Sequence, residues 1–239
     1  MVCETLRVAV LELIWFPGTC SRVALIALEE IGEPFSTRVS PVDRSHDPAF
    51  LAVNPKGKVP VLTVDGVMLT EIPAIMTRLA ALYPQARLLP AGDWLVENDA
   101  LAMMCWIAGA MHPSITRMRY PQRFCDVPGS EGRTRALAAE ALRTCFELVE
   151  QRLDAGGWLY GEWSIVDAYL LWAWFRAAGS GMDCTALPGC AAHAARCEQW
   201  PSVARALDHE EAVYAEMLAS GALTVKLPPH QVGRTPSIA

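Results

Sequence analysis

Two features of the stretch NPKGKVPVLTVDGVMLTEIPAI, residues 54–75, have chemistry suited to binding a peptide. Pro60 stands just before an apolar strand. A cis bond there turns the backbone N–H and C=O of Val59 outward, where an extended peptide can pair with them. Glu71 follows a short hairpin and opens the next helix, so its carboxylate can hold an ammonium group. The structural alternative is that Pro60 is an edge-strand proline without a binding role and that Glu71 is a first-turn acid stabilised by the helix dipole. Spacing alone leaves both interpretations open.

These residues must be positioned by a segment that alternates short β-rich runs with helical runs. The runs LELIW, RVALIALEEIG and FSTRVS indicate a βαβ unit. The later runs VPVLTV, VMLT and IPAIMTRLAALYP indicate a hairpin and a closing helix, with Asp65 and Gly66 at the turn. The pattern beyond residue 93 is helical, with candidate helices over 94–118, 131–153, 164–178, 190–199 and 202–219.

The sequence thus predicts five segments along the chain. They are an N-terminal extension over 1–10, an α/β domain over 11–84, a linker over 85–93, an all-helical domain over 94–222 and a tail over 223–239. The tail contains two adjacent prolines and little apolar periodicity, which predicts either an extended strap or disorder. Ser164 and Asp167 form a capping-box variant at a helix start, so we expect Asp167 to support folding rather than chemistry.

Composition excludes several classes of function. Hydrophobic residues make up 52% of the chain, yet the longest apolar runs fall short of the ~20 residues that cross a bilayer, so we expect no membrane partner. The formal charge of -6, without a sustained basic stripe, argues against nucleic acid as a partner. The eight cysteines form no CxxC pair and no zinc-ligand spacing, which predicts no metal site and a reducing, cytoplasmic compartment.

The quoted stretch, with FPGTCSRVALIALEEIG upstream and YGEWSIVDAYLLWAWFRAAG downstream, resembles the cytosolic glutathione S-transferase family, in particular its bacterial beta class. The resemblance covers residues 11 to about 219. It implies a thioredoxin-like α/β domain followed by an all-α helical domain, with glutathione as co-substrate and no metal. By the same resemblance, Val59 and a cis Pro60 bind the cysteinyl backbone of glutathione, and Glu71 binds its γ-glutamyl end.

Two further positions in this motif are assigned by the resemblance. Lys58 stands where the family often has a polar side chain near the glycine carboxylate of glutathione. Ile72 replaces a serine that many relatives carry, so it offers a backbone N–H but no hydroxyl. The missing hydrogen bond is expected to weaken glutathione recognition by about 1 kcal/mol.

The resemblance places the chemistry at the start of the first helix, in WFPGTCSRVAL. The N–H groups and dipole of a helix N-terminus stabilise an anion, so Thr19, Cys20 or Ser21 could hold the glutathione sulfur. The segment PGTCS most resembles the beta-class pattern, in which the cysteine contacts glutathione and can form a mixed disulfide. We therefore expect Cys20 to have a lowered pKa, with Arg22 adding positive charge. The alternative is that Cys20 is buried packing and that Thr19 or Ser21 donates the hydrogen bond.

A transferase also needs a pocket that places an electrophile against the sulfur, and we expect this pocket to be apolar. Trp15 and Phe16, at the end of the first strand, are candidates for its wall. Arg176 is a third candidate; it stands where several beta-class sequences have tryptophan, which leaves the polarity of the pocket open.

The first long helix supplies further candidates, because Trp106, Met111, His112 and Met118 recur at helical spacing. Pro113 should bend this helix. By resemblance His112 lies beside the active site, although a lone histidine on an apolar face is often a satisfied core residue. The nearby set Arg117, Arg119 and Arg123 could attract an acidic substrate, although such a set more often forms a solvated charged face.

The predicted function is transfer of glutathione to small hydrophobic electrophiles. Two alternatives remain open from the sequence: thiol-disulfide exchange or reductive cleavage through Cys20, and a non-catalytic ligand-binding protein that keeps the fold. The resemblance also implies a homodimer, and a two-fold interface is the commonest form of oligomer.

Overall fold

The computed structural model describes residues 9–153, 157–224 and 232–235 of the chain. Its first part contains a four-stranded sheet of β1 (Leu11–Trp15), β2 (Phe35–Val39), β3 (Val61–Val64) and β4 (Val67–Thr70). The strand order is β2-β1-β3-β4, with β1 parallel to β2 and antiparallel to β3. The predicted thioredoxin-like sheet is therefore confirmed.

The hairpin between β3 and β4 turns where the sequence predicts. Asp65 and Gly66 both have positive φ, at 50° and 82°, as a two-residue hairpin loop with right-handed strand twist requires. The Val59–Pro60 peptide bond is cis, as the sequence also predicts.

Three helices pack against this sheet region: α1 (Ser21–Ile31), α2 (Pro48–Val53) and α3 (Ile72–Leu82). The prediction missed the short α2, although its start carries a readable signal. The Asp47 carboxylate accepts a hydrogen bond from the N–H of Phe50 at 2.8 Å, and Pro48 occupies the first helical position.

The second part is helical, as predicted. It contains α4 (Trp94–Trp106), α5 (His112–Arg119), α6 (Glu131–Leu153), α7 (Ile165–Ala178), α8 (Pro188–Glu198) and α9 (Pro201–Ala219), with short 3-10 turns at Pro84–Ala86 and Pro121–Arg123. Among the described residues, no helix is both long and apolar enough to cross a bilayer.

The disturbance expected at Pro113 takes the form of a π-helical turn, Ile107–Met111, between α4 and α5. Proline has no N–H to donate into the preceding turn, and a wider turn absorbs this loss. Each extra residue in such a turn rotates the residues that follow around the helix axis.

Helix α7 is the central helix of the second part, since almost every one of its residues is buried. Its start is fixed by Asp167, which accepts hydrogen bonds from the Ser164 N–H at 3.0 Å and from the Leu159 N–H at 2.9 Å. His193 Nε2 lies 2.9 Å from the same carboxylate. Ser164, Asp167 and His193 line neither of the two cavities described below, which agrees with the expected folding role of Asp167.

Two parts of the predicted tail are described, residues 223–224 and 232–235, and the second lies against α1, α8 and α9. The Gly233 carbonyl accepts a hydrogen bond from Arg22 at 2.8 Å, and the Thr235 N–H donates to Glu198 at 2.6 Å. These four residues thus behave as a strap. The rest of the predicted tail segment beyond residue 224 lies outside the described residues.

Candidate active site

Two cavities meet at the N-terminal end of α1. The smaller has a volume of about 220 Å³ and the larger of about 320 Å³. Cys20, Lys58, Val59 and His112 line both of them. A molecule in one cavity therefore lies beside a molecule in the other, which is the arrangement that a reaction between two substrates needs.

The smaller cavity is built around the loop that precedes β3. Asn54 is buried and organises this loop, because its amide donates to the Lys58 carbonyl at 2.7 Å and accepts from the Lys56 N–H at 3.2 Å. Gly57 has φ +62°, and a Cβ at this position would lie 3.0 Å from the Cα of Ser45, so the loop requires glycine here. The result is a fixed backbone that presents Val59 and Pro60 to the cavity.

Glu71 and Ile72 line the same cavity at the start of α3. Glu71 has an unusual φ of 72° for a residue other than glycine, and its carboxylate pairs with the Lys56 ammonium at 2.7 Å. Both side chains are more than half exposed, at 53% and 63%, so the pair is accessible to a ligand. Ile72 is itself buried and occupies the first position of α3, where its backbone N–H has no partner within the helix.

Cys20 lies at the N-cap position of α1, but it is buried with only 8% exposed. Its thiol Sγ donates toward the Val59 carbonyl over 3.5 Å. Burial raises the pKa of Cys20 to about 12, and this outweighs the opposing charges of Arg44 and Arg176. The expected lowered pKa of Cys20 is therefore wrong: the helix N-terminus cannot compensate for desolvation of the thiolate, and the group is a neutral thiol.

Arg22 does not add positive charge at this point, contrary to the expectation. Its guanidinium is buried and forms an ion pair with Glu210 of α9, which is also fully buried. The same carboxylate accepts from the Gly18 N–H at 3.0 Å. Glu210 thus neutralises Arg22 and anchors the loop that leads into Cys20.

The two neighbouring hydroxyls differ in their access to the cavities. Ser21 is fully buried, and its Oγ accepts from the Phe16 N–H at 3.1 Å and lies 2.6 Å from Thr19 Oγ1. Ser21 lines neither cavity, so its hydroxyl has a structural role. Thr19 does line the larger cavity, although its hydroxyl donates to the Phe16 carbonyl at 2.7 Å.

His112 faces both cavities at the first position of α5, and its ring packs against the edge of Trp172 with centroids 4.6 Å apart. Burial, reinforced by the charges of Arg176 and Lys58, lowers the pKa of His112 to about 4. The imidazole is therefore neutral near pH 7 and can donate or accept one hydrogen bond.

One face of α7 completes the walls. Tyr169 lines the smaller cavity, and Trp172 and Arg176 line the larger, at the i, i+3 and i+7 positions of a helical stripe. The Trp172 indole N–H donates to the Gly18 carbonyl over 3.4 Å, which holds the loop from the other side.

The larger cavity has an apolar wall and a charged one. Phe16, Ile115, Trp172 and Leu223 form the apolar part. The charged part consists of Lys58 and four arginines: Arg44, Arg119, Arg123 and Arg176. The sequence predicts an apolar pocket, and the structure corrects this, because α5 and the 3-10 turn after it add Arg119 and Arg123 to the cavity wall.

Several predicted pocket residues lie elsewhere. Trp15 is fully buried and packs edge-on against His209, so it belongs to the core. Met111 and Met118 are likewise buried in the core, and neither they nor Trp106 line either cavity. Regular spacing along α5 from His112 places Ile115, Thr116 and Arg119 on the cavity side, whereas Met111 and Met118 lie one position before and six positions after His112 and so face the core.

Sequence reasoning also missed residues that line the cavities. Lys56 and Tyr169 in the smaller cavity, and Arg44, Tyr120 and Trp172 in the larger, were not singled out. The i, i+3, i+7 relation of Tyr169 and Trp172 to Arg176 was a usable signal. Arg44 lies in a loop that is far from the other cavity residues in sequence, so no sequence signal pointed to it.

The chemistry of these walls is that of binding and hydrogen bonding. Within residues 9–153, 157–224 and 232–235, no cluster of three or more His, Cys, Asp or Glu side chains is placed to hold a metal ion. All seven described cysteines are free thiols.

Comparison with known proteins identifies the fold and the family. Residues 18–82 match the family model "Glutathione S-transferase, N-terminal domain". The chain is 30% identical to glutathione S-transferase GstA of Escherichia coli O157:H7 over 205 residues, which cover 84% of this chain and 98% of that protein.

Solved structures agree. The chain superimposes on a glutathione S-transferase from Xylella fastidiosa with a TM-score of 0.79 and 26% identity, covering 84% of this chain and 98% of that one. A sphingomonad glutathione S-transferase complexed with glutathione gives a TM-score of 0.73 and 32% identity, with coverage of 84% and 98%. With nearly the full length of these relatives matched, and with the cis proline and the N-terminal cysteine of α1 in place, the chain belongs to the glutathione S-transferase family.

Proposed function

We propose that this protein transfers glutathione to small hydrophobic electrophiles, with glutathione in the smaller cavity and the electrophile in the larger. The observation that carries this proposal is the junction of the two cavities at Cys20, Val59 and His112. A sulfur held at that junction faces both a fixed peptide-binding loop and a pocket for a second molecule. We assign residues 11–84 to glutathione binding and residues 94–222 to the opposite wall.

The charges around the smaller cavity complement those of glutathione. Glutathione carries one ammonium and two carboxylates, and the cavity offers one carboxylate, Glu71, and two ammonium groups, Lys56 and Lys58. Glu71 binds the ammonium and the Ile72 N–H binds the carboxylate of the γ-glutamyl end. Lys58 binds the glycine carboxylate. The backbone of Val59, beside Pro60, pairs with the cysteinyl residue as an added strand does.

In the reaction, the glutathione sulfur forms a bond to the electrophilic carbon, and the leaving group departs with its bonding electron pair. The thiol proton passes to solvent. We assign to the neutral Cys20 thiol the role of a hydrogen-bond donor to the sulfur, because a group with a pKa of about 12 keeps its proton. Thr19 is the neighbouring hydroxyl that can take this role if Cys20 does not, and His112 provides a further neutral hydrogen-bonding group.

Two broader assignments accompany this function. The free thiols suit a reducing, cytoplasmic compartment. A homodimer is supported by exposed apolar side chains on β4 and α4, since Val67 is 65% exposed, Met68 43%, Trp94 67% and Leu95 57%. Light scattering should give twice the chain mass of 26.1 kDa, and a Trp94→Glu variant should shift the mass toward the monomer. A monomer for the unmodified protein contradicts this assignment.

The function is tested by steady-state conjugation with a panel of aryl halides, epoxides, peroxides and a small disulfide. We expect saturation with glutathione and product formation with at least one class that forms a carbon–sulfur bond. Cys20→Ala should lower kcat by about tenfold to a hundredfold, the effect of one donor to a developing anion. Cys105→Ala, which removes an exposed cysteine of α4, is the matched control and should leave kcat unchanged. No conjugation above the uncatalysed rate, with no binding of glutathione by calorimetry, contradicts the proposal.

A further inference from the structure

The charged wall of the larger cavity brings together arginines from four separate segments. Arg44 lies in the loop before α2, Arg119 ends α5, Arg123 lies in the 3-10 turn that follows, and Arg176 lies in the last turn of α7. Of the described residues that line this cavity, none is acidic. With Lys58 included, five cationic side chains line this one cavity.

Three of these arginines have no carboxylate partner in the part of the chain that the structure describes. Arg44, Arg119 and Arg123 form no ion pair there, whereas six other described arginines do: Arg22, Arg38, Arg143, Arg152, Arg205 and Arg234. Arg78, Arg87, Arg117, Arg133, Arg135 and Arg196 also have none among the described residues, so the distinguishing feature of the three is that they line one cavity. The Nε of Arg119 is buried and has no hydrogen-bond partner among these residues. Arg44 and Arg119 are partly buried and Arg123 is exposed. Guanidinium groups gathered at one cavity with no carboxylate among its lining residues form a set that an anionic ligand can complete.

The electrostatics of the cavity agree with this geometry. Burial, followed by repulsion from Arg119, lowers the pKa of Arg176 to about 9. Burial likewise lowers the pKa of Arg44, and nearby Arg123 lowers it further. An anion bound among these arginines would offset their mutual repulsion and raise the pKa values of Arg44 and Arg176 again.

Tyr120 holds part of the arginine cluster in place. Arg119 donates to the Tyr120 hydroxyl over 3.4 Å, and the Arg123 guanidinium lies 4.4 Å from the centroid of the Tyr120 ring. The Arg44 guanidinium lies 5.0 Å from the centroid of the Phe16 ring. The same cavity is also lined by the aromatic rings of Phe16 and Trp172, so it suits a flat apolar body with an acidic substituent.

From these observations we propose that the electrophile conjugated by this protein bears a carboxylate, which Arg44, Arg119, Arg123 and Arg176 bind while its apolar ring packs on Phe16 and Trp172. The inference rests on the proposed function and specifies its substrate class. The competing source of the same chemistry is glutathione itself, whose carboxylates could occupy the arginine cluster instead, and the experiment separates the two.

The kinetic arm compares a chlorodinitrobenzoate with its methyl ester, each rate divided by its uncatalysed rate with glutathione. In both reactions the sulfur bonds to the ring carbon, chloride leaves with the bonding pair, and the thiol proton goes to solvent. We expect kcat/KM to be at least about tenfold greater for the carboxylate than for the ester. Arg119→Gln should lower that ratio about tenfold, as should Arg123→Gln, whose exposed position makes misfolding an inadequate explanation. Arg117→Gln is the matched control, because Arg117 is exposed on the same helix and lines neither cavity.

The binding arm uses calorimetry with a dinitrobenzoate that has no leaving group, and with its methyl ester, so it does not depend on turnover. Tighter binding of the carboxylate, lost in Arg119→Gln and kept in Arg117→Gln, supports a carboxylate site at these arginines even if no conjugation is found; in that case the site remains a ligand site and the proposed function fails. Equal binding of carboxylate and ester overturns the inference. An Arg119→Gln variant that binds glutathione about tenfold more weakly, with the carboxylate preference unchanged, also overturns it, because the arginines then hold glutathione.

Discussion

The buried ion pair between Arg22 and Glu210 joins the two halves of the molecule and gives the sharpest prediction about stability. Arg22 on α1 is 1% exposed and Glu210 on α9 is 0% exposed. The Glu210 carboxylate also accepts hydrogen bonds from the Arg22 Nε at 3.1 Å and from the N–H groups of Gly18 and Gly233, both at 3.0 Å. The Arg22 guanidinium packs on the Phe175 ring, 4.2 Å from its centroid.

Glu210→Gln keeps the size of the side chain but leaves the Arg22 charge buried without a counter-ion. Breaking a buried pair in this way costs about 3 to 5 kcal/mol. The free energy of unfolding, measured by urea denaturation with tryptophan fluorescence, should fall by this amount. The control is Arg143→Gln, which breaks an exposed i, i+4 pair with Glu147 and should cost less than about 0.5 kcal/mol.

A double variant separates charge burial from lost hydrogen bonds. Adding Arg22→Met to Glu210→Gln removes the unpaired cation, while the glutamine carbonyl can still accept from Gly18, so we expect at least about half of the lost stability to return. A loss below about 1 kcal/mol for Glu210→Gln alone, or a double variant less stable than the single one, refutes this reasoning.

Three further predictions concern the site. Glu71→Gln should weaken glutathione binding by about 2 kcal/mol, or about thirtyfold, because the ammonium loses its counter-ion; an unchanged Kd by calorimetry speaks against the assignment. Iodoacetamide should label the exposed Cys105 before the buried Cys20, because the pKa of Cys20 is raised to about 12. Preferential labelling of Cys20, blocked by glutathione, would instead show that Cys20 is a thiolate. Burial lowers the pKa of His112 to about 4, so the unfolded chain binds a proton that the folded chain does not between pH 6.5 and about 4. Stability should therefore fall by up to about 3 kcal/mol as pH falls through this window, and in a His112→Gln variant the fall should be smaller by a similar amount; an equal fall in both proteins is the contrary result.

Local sequence patterns predicted much of the fold. The alternation of apolar runs located the four strands, and Asp65–Gly66 located the hairpin, because turn geometry depends on residues adjacent in sequence. The capping box at Ser164 fixed the start of α7 for the same reason. Val59, Pro60 and Glu71 were found together because one continuous stretch carries them to one cavity.

Properties that depend on tertiary packing were predicted less well. The sequence shows Cys20 at a helix start but not how deeply the thiol is buried, and burial decides its pKa. Arg119 lies seven positions after His112 on α5, and this regular spacing puts both on the cavity side, but the sequence does not show that the loop carrying Arg44 reaches the same wall. Trp15 ends a strand beside the site, yet its side chain packs in the core.

The central claim is that the junction of the two cavities holds glutathione with its sulfur as an anion, and the pKa of the bound thiol tests this most directly. It is measured from the ultraviolet absorbance of the thiolate as pH is varied, in wild type and in Cys20→Ala. We predict a bound-thiol pKa well below the ordinary value of about 8.5, raised toward that value when the Cys20 donor is removed. A bound thiol that titrates at the free value in both proteins contradicts the account.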